Sequence, residues 1–342
     1  MTGRERVSQV MHYKKPDKVP VQYYYTPVGY YEHGEKLNDL YATLPGDFEP
    51  YRRMPVSGPA AGEYDEQGNY HAFHRDAWGT LWEFRIFGIA GIPAEFPLAD
   101  IARLDRYVFP PTPPLSGPEF DKYCEMIAEH QKQYCFLQHA GSLYERMIAL
   151  RSEEDVLCDI ALNEPEINSL ADKIIEHDAA YVQLAVAAKA DGIAFGDDYG
   201  TERGLLMNPA TWRSFIKPRL KELFAPAVKA NLDIFFHSCG QIGEILEDLR
   251  EVGVTSVWPQ IPVYDMQWLA ERCRSLGLSL AIHTDRAQTM TYGTPQQVRD
   301  LVRKEYEVFK MADGGAWFYV EADNGFPFAN LEALVNTIKE LR

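Results

Sequence analysis

The chain has 342 residues, 46% of them hydrophobic, and its 50 acidic against 34 basic side chains give a formal charge of −16. A core of that size suits one α/β barrel or two smaller domains, while the acidity disfavours nucleic-acid backbones and anionic membrane surfaces as partners. The five cysteines, Cys124, Cys135, Cys158, Cys239 and Cys273, are scattered and contain no C-x-x-C pair, so no disulfide framework is expected.

The first residues show no positive-then-apolar signal pattern, and no apolar run nears the roughly 18 residues of a membrane span. A soluble, cytoplasmic protein is the expectation. Residues 1–18 read as a short amphipathic helix and a lysine-rich turn, followed by a buried strand at Val19–Tyr25. From Gly29 to Ile92 helical periodicity is weak and Gly, Pro and aromatic residues are dense. Tyr70–Ile86 has the pattern of a hairpin turning at Asp76-Ala-Trp-Gly. Residues 29–118 are therefore read as an excursion and linker near the mouth of the fold, either lining a pocket or decorating the surface. Asp76 and Trp78 are its candidate substrate contacts. Pro110–Pro118, PPTPPLSGP, closes it, because its prolines forbid regular structure.

Residues 119–342 are regular. Strands are predicted at Tyr134–Gln138, Gly192–Phe195, Leu232–Phe236, Ser256–Trp258, Leu278–Ile282 and Trp317–Val320, with helical stretches in most gaps. Asn208-Pro209 and Thr294-Pro295-Gln296-Gln297 supply helix starts, a cap with a first-turn proline in each case. That alternation implies parallel strands with right-handed crossovers in a single domain spanning 1–342. With Val19–Tyr25 the count is seven strands, and a distorted (β/α)8 TIM barrel is the expected fold although its eighth strand has no clear place. An open doubly wound sheet is the alternative, but no G-x-G-x-x-G or Walker loop follows any strand.

The chemistry is placed at Leu232–Gly240, LDIFFHSCG. Strand side chains alternate faces, so His237 and Cys239 project together at a strand end while Ser238 points away. Ile242, Ile245, Leu246, Leu249 and Val252 then follow at helical spacing, with Gly253 to end the helix. In a barrel the strand ends share one mouth. The groups there would be His139, Asp197, Asp198, Tyr199, His237, Cys239, Gln260, His283, Asp285, Glu321, Asp323 and Asn324, a polar, acidic, metal-friendly rim.

In order and spacing, several segments resemble the uroporphyrinogen decarboxylase superfamily, which includes zinc-dependent methyltransferases acting on corrinoid proteins. They are Asp76-Ala-Trp-Gly-Thr80 with Pro97-Leu-Ala-Asp100, Gly141-Ser-Leu-Tyr-Glu145, Gly196-Asp-Asp-Tyr-Gly-Thr201, Asn208-Pro209 through Lys217-Pro-Arg219, His237-Ser-Cys-Gly-Gln-Ile242, Asp285 with Gly293-Thr-Pro295, and Asp323-Asn-Gly-Phe-Pro327. The resemblance implies a distorted barrel. The decarboxylases grip substrate carboxylates with an arginine-bearing N-terminal loop, but this chain has Tyr23-Tyr24-Tyr25-Thr26-Pro27 in that region. H-x-C looks like the methyltransferase branch, in which His and Cys bind zinc and a later Cys completes the set. Here Asn324 occupies the comparable place. Glu321 is the first choice for a third ligand, with Asp323, Gln260 or a water as alternatives.

The reading is a zinc-dependent methyltransferase that moves a methyl group between a small methylated compound or thiol and a corrinoid carried by a partner protein. Asp197, Asp198 and Glu321 are the candidate catalytic carboxylates. Asp76, Trp78, His139, Tyr199, Gln260, His283, Asp285 and Asn324 are the candidate substrate contacts. A metal-free decarboxylase and a non-catalytic ligand-binding barrel are the rival classes. Oligomeric state is left open, a homodimer included.

Overall fold

In the computed structural model, which describes residues 1–342, ten strands follow one another along the chain. They are β1 (Val21–Tyr24), β2 (Ala72–Arg75), β3 (Leu81–Phe84), β4 (Ile92–Glu95), β5 (Leu137–His139), β6 (Gly192–Gly196), β7 (Asp233–Ser238), β8 (Ser256–Pro259), β9 (Ser279–His283) and β10 (Ala316–Glu321). Seven of them form a parallel sheet in the order β1-β10-β9-β8-β7-β6-β5, curled into a barrel with helices outside. All seven expected strands are in it. The hairpin expected at Tyr70–Ile86 is β2 and β3, and β4 adds a third antiparallel strand.

The expected eighth strand does not form, and the barrel is not closed by strand pairing. Between β1 and β5 lies the stretch Pro45-Gly-Asp-Phe-Glu-Pro50. Its prolines lack the N–H that a ladder needs, so it bridges its neighbours by single bonds. Asp47 N donates to Val21 O at 2.8 Å, and Cys135 N donates to Asp47 O at 3.3 Å. The buried Asp47 carboxylate also accepts Val21 N at 2.8 Å and pairs with Arg6 on one oxygen and Arg342 on the other. One side chain thus ties the first helix, the first strand and the last residue together.

The barrel interior is filled from alternate strand positions. Leu137, Ala194, Phe235, Trp258, Ala281, Trp317 and Tyr319 pack together, and Val7, Val10 and Met11 of the helix Gly3–Met11 plug its N-terminal end. The intervening residues, such as Ile234 and Phe236, face the helices instead. Those helices form where their starts are encoded. The Asn208 side chain caps Ala210 N at 2.8 Å ahead of Pro209–Lys229, whose stripe Trp212, Phe215, Ile216, Leu220 and Leu223 is buried. Thr294 and Gln297 complete a reciprocal capping box at the start of Pro295–Val308. No helix is long and apolar enough to cross a membrane.

Candidate active site

Along β7, Phe235 and His237 point into the barrel, and the chain then turns through Cys239 and Gly240. Gly240 has φ +72°, and a Cβ there would fall 2.1 Å from the carbonyl carbon of Gly200. Only glycine allows both the left-handed backbone and this crossing of two turns. The crossing sets the loop after β6 against the loop after β7. As a result Cys239 N donates to Asp198 Oδ1 at 2.7 Å.

Asp198, His237 and Cys239 each offer one ligand atom, all within 4.8 Å of one another. His237 Nε2 is 3.5 Å from Cys239 Sγ and 3.5 Å from Asp198 Oδ1. Tetrahedral bonds of zinc to N, O and S would put such atoms about 3.3–3.6 Å apart. The imidazole is set for the task. His237 Nδ1 lies 2.9 Å from Trp258 O, a contact in which only an N–H can donate, so the neutral ring turns its Nε2 lone pair to the other two groups. Trp258 also packs against the imidazole at a tilt of 36°, centroids 4.0 Å apart, and is stacked on Tyr319 at 4.1 Å. Burial holds His237 below its ordinary pKa despite the opposing pull of Asp198. Burial, then Asp198, push the Cys239 thiol up to about 12. This trio can hold a tetrahedral ion and leave one position open.

Two of the trio, His237 and Cys239, line a cavity of about 350 Å³ at the barrel mouth, with Asp198 against them. His237, Cys239, Gln260, His283, Asp285, Asp323 and Asn324 of the expected rim meet there, together with Trp258, Arg286 and Phe326. Ile86 and Ile89 lie over it, so the excursion does line the pocket. Gln260 is held by accepting Gly240 N at 2.9 Å. Burial, with help from Arg286, lowers His283 to about 4, so its ring is neutral. Arg286 is the only lysine or arginine among the lining residues.

Other expected residues have different surroundings. Glu321, the first choice for third ligand, is buried against Arg286, with Oε1 3.3 Å from Nη1, and the carboxylate beside His237 and Cys239 is that of Asp198. Asp197, just past the end of β6, is directed away from Asp198. It is fully buried and accepts the backbone N–H of Leu143, Tyr144 and Glu145 at 3.1, 2.8 and 2.7 Å, and the hydroxyl of Tyr199 at 2.6 Å. It therefore anchors the helix Tyr144–Leu150 rather than reaching substrate, and Tyr199 is core. Asp197→Asn places an amide N–H₂ among donors and is expected to lower stability by about 1–3 kcal/mol, read from a chemical-denaturation midpoint. Asp76 accepts Trp78 N and Thr80 N at 2.9 and 3.0 Å and so shapes the hairpin turn. Trp78 and His139 line a separate, smaller cavity.

Arg286 and Trp258 escaped the sequence reading. Arg286 directly follows the singled-out Asp285, and Trp258 lies two residues before Gln260 on the same strand face, so proximity and parity were the available signals.

Compared with known families, residues 142–341 match the uroporphyrinogen decarboxylase (URO-D) family. The chain belongs to this family. Among solved structures, a methyltransferase from Methanosarcina mazei superposes with a TM-score of 0.67 at 16% identity, covering 99% of each chain. URO-D membership and this likeness account for a curled parallel barrel across the whole chain. A dihydropteroate synthase from Xanthomonas albilineans reaches a TM-score of 0.34 at 13% identity, over 48% of this chain and 60% of that one. A 3-keto-D-glucoside 4-epimerase from E. coli reaches 0.35 at 8% identity, over 60% and 99%. Both are too distant to bear on this chain. No curated protein matches the sequence.

Proposed function

We propose that this URO-D family protein is a methyltransferase that moves a methyl group between a small methylated compound or thiol and a corrinoid carried by a partner protein. The observation that carries the reading is the grouping of Asp198, His237 and Cys239, the last two of which line the mouth cavity. The donor set suits zinc, which when bound there would keep an acceptor thiol deprotonated at neutral pH or act as a Lewis acid on a leaving heteroatom. The protein's own groups do the rest. Gln260, His283 and Asn324 offer hydrogen bonds to orient a bound molecule, and Ile86 and Ile89 limit water over it.

The charge of the mouth favours this reading over porphyrinogen decarboxylation. Its single arginine already faces Glu321 and Asp323, at 3.3 and 3.5 Å. A substrate with many carboxylates would meet no unpaired cation there. The test is a comparison of two reactions on one preparation. Methylcobalamin with a small thiol such as 2-mercaptoethanol is expected to lose its methyl group, seen in the corrinoid's visible spectrum, whereas uroporphyrinogen is expected to stay unchanged. Coproporphyrinogen formed without methyl transfer would reverse the assignment.

A pH dependence follows from the thiol. His237 is neutral already, so metal binding at this site must displace the Cys239 proton. Below the raised thiol pKa one proton leaves per metal bound. Apparent zinc affinity should rise by about tenfold per pH unit between roughly pH 6 and 8. Competition against a chromophoric chelator measures it, and a flat profile would mean that Cys239 is not a ligand.

A further inference from the structure

The charges around the mouth do not balance. Asp285, Asp323 and Arg286 line it, and Glu321 lies against Arg286 with a side chain only 5% exposed. Three carboxylates against one guanidinium leave a surplus of two negative charges. Zinc would not absorb that surplus, because the Asp198 carboxylate and a Cys239 thiolate already offset the two charges of the ion.

Nor does Arg286 saturate the two carboxylates it faces. Its Nη1 donates to Glu321 Oε1 at 3.3 Å, while Glu321 Oε2 accepts no hydrogen bond from the chain and is not sealed from solvent. Asp323 Oδ1 accepts Asn324 N at 2.8 Å, whereas Oδ2 has only the ion pair with Arg286 Nε at 3.5 Å. Asp285 is different. Its two oxygens accept Gln288 N and Thr289 N at 3.1 and 3.2 Å, so it adds charge to the mouth but no open acceptor.

The neutral lining groups Gln260, His283 and Asn324 cannot offset this charge. Arg286 keeps N–H groups of its own on Nε and Nη2, but an anion reaching them would sit beside Glu321 and Asp323. Like charges at such spacing repel, and the chain as a whole carries a formal charge of −16. A cation would instead donate charge-assisted hydrogen bonds to Glu321 Oε2 and Asp323 Oδ2. His237 and Cys239 open onto the same cavity, so one small molecule could meet both ends of it.

We propose that the acceptor of the methyl group is a small thiol that carries a protonated amine, with its sulfur at the trio and its ammonium against Glu321 and Asp323. The inference rests on the methyl-transfer reading and names the substrate class for it. The amine takes no part in the transfer. A thiolate pair forms the carbon–sulfur bond, and the carbon–cobalt pair stays on cobalt, which passes from methylcobalt(III) to cobalt(I). The thiol proton goes to water as the thiolate forms, while the ammonium keeps its protons and decides which thiol is held.

Cysteamine, 2-mercaptoethanol and 3-mercaptopropionate are thiols of similar size that differ in charge. Titration calorimetry of each into the zinc-loaded full chain, before any methyl donor is added, is expected to rank them in that order, with cysteamine about tenfold tighter than 2-mercaptoethanol. An ammonium also acidifies its own thiol, so two variants assign the cause. Asp323→Asn and Glu321→Gln, with unaltered melting temperatures, should each cut the cysteamine-to-2-mercaptoethanol ratio by about threefold or more. Methylcobalamin is then added, and the same ratio is read in kcat/KM. Equal binding of cysteamine and 2-mercaptoethanol, tightest binding of 3-mercaptopropionate, or a ratio that both variants preserve overturns the inference and leaves methyl transfer standing. Preferred binding of cysteamine with no methylation of any thiol removes the methyl-transfer reading, and the acceptor role with it.

Discussion

Protein purified without chelator is expected to carry one zinc ion per chain, and Cys239→Ser to carry almost none. Both outcomes follow from the trio's geometry and from the absence of spare donors. With the thiol gone, His237 and Asp198 leave two ligands for an ion that takes three from catalytic sites of this kind. The expected loss in affinity exceeds the roughly 10–100-fold that outer-shell partners contribute. Asp198→Asn should also lose most of the metal, since a neutral amide replaces the only carboxylate beside His237. Glu321→Gln should retain it, because that carboxylate faces Arg286. Elemental analysis of the four proteins decides the matter. Full zinc in Cys239→Ser removes the site altogether, and loss in Glu321→Gln with retention in Asp198→Asn exchanges the two carboxylates.

The largest stability effect is expected far from the mouth, at Asp47. Arg6 and Arg342 both point at it, with side chains only 6% and 7% exposed. Truncation to Ala removes the acceptor of Val21 N and the only carboxylate facing Arg342, and leaves Arg6 with Asp17 alone as its ion-pair partner. Breaking a buried pair in this way costs about 3–5 kcal/mol. The denaturation midpoint of Asp47→Ala should fall accordingly while zinc content per folded chain is unchanged. A change below about 1 kcal/mol would mean that water already satisfies the two arginines.

Much of the architecture is written locally. β6 to β10 are apolar runs ended by polar groups, and their helices begin at encoded caps such as Asn208 and Thr294, so chain-local signals sufficed. The pairing of His237 with Cys239 is equally local, a consequence of the two-residue strand period. What the sequence hides is which strand end faces which. Asp197 and Asp198 are neighbours, and only the crossing of Gly200 with Gly240 makes the second the metal-facing one. The inward projection of Glu321 follows the same period along β10, but its neutralising Arg286 comes from another strand end, 35 residues away in sequence. The missing eighth strand was signalled by Pro45 and Pro50, which mark where a ladder could not form.

That gap makes the barrel a split ring rather than a hoop. Around most of the circumference, widening the mouth would tear a ladder of backbone bonds, whereas between β1 and β5 it would strain two single ones. Tyr24 and His139, at the tops of those two strands, stand on either side of the slit. On that side the ring is held by the side-chain contacts of Asp47 rather than by a ladder, while the wall bearing His237 and Cys239 belongs to the continuous pairing of β6, β7 and β8.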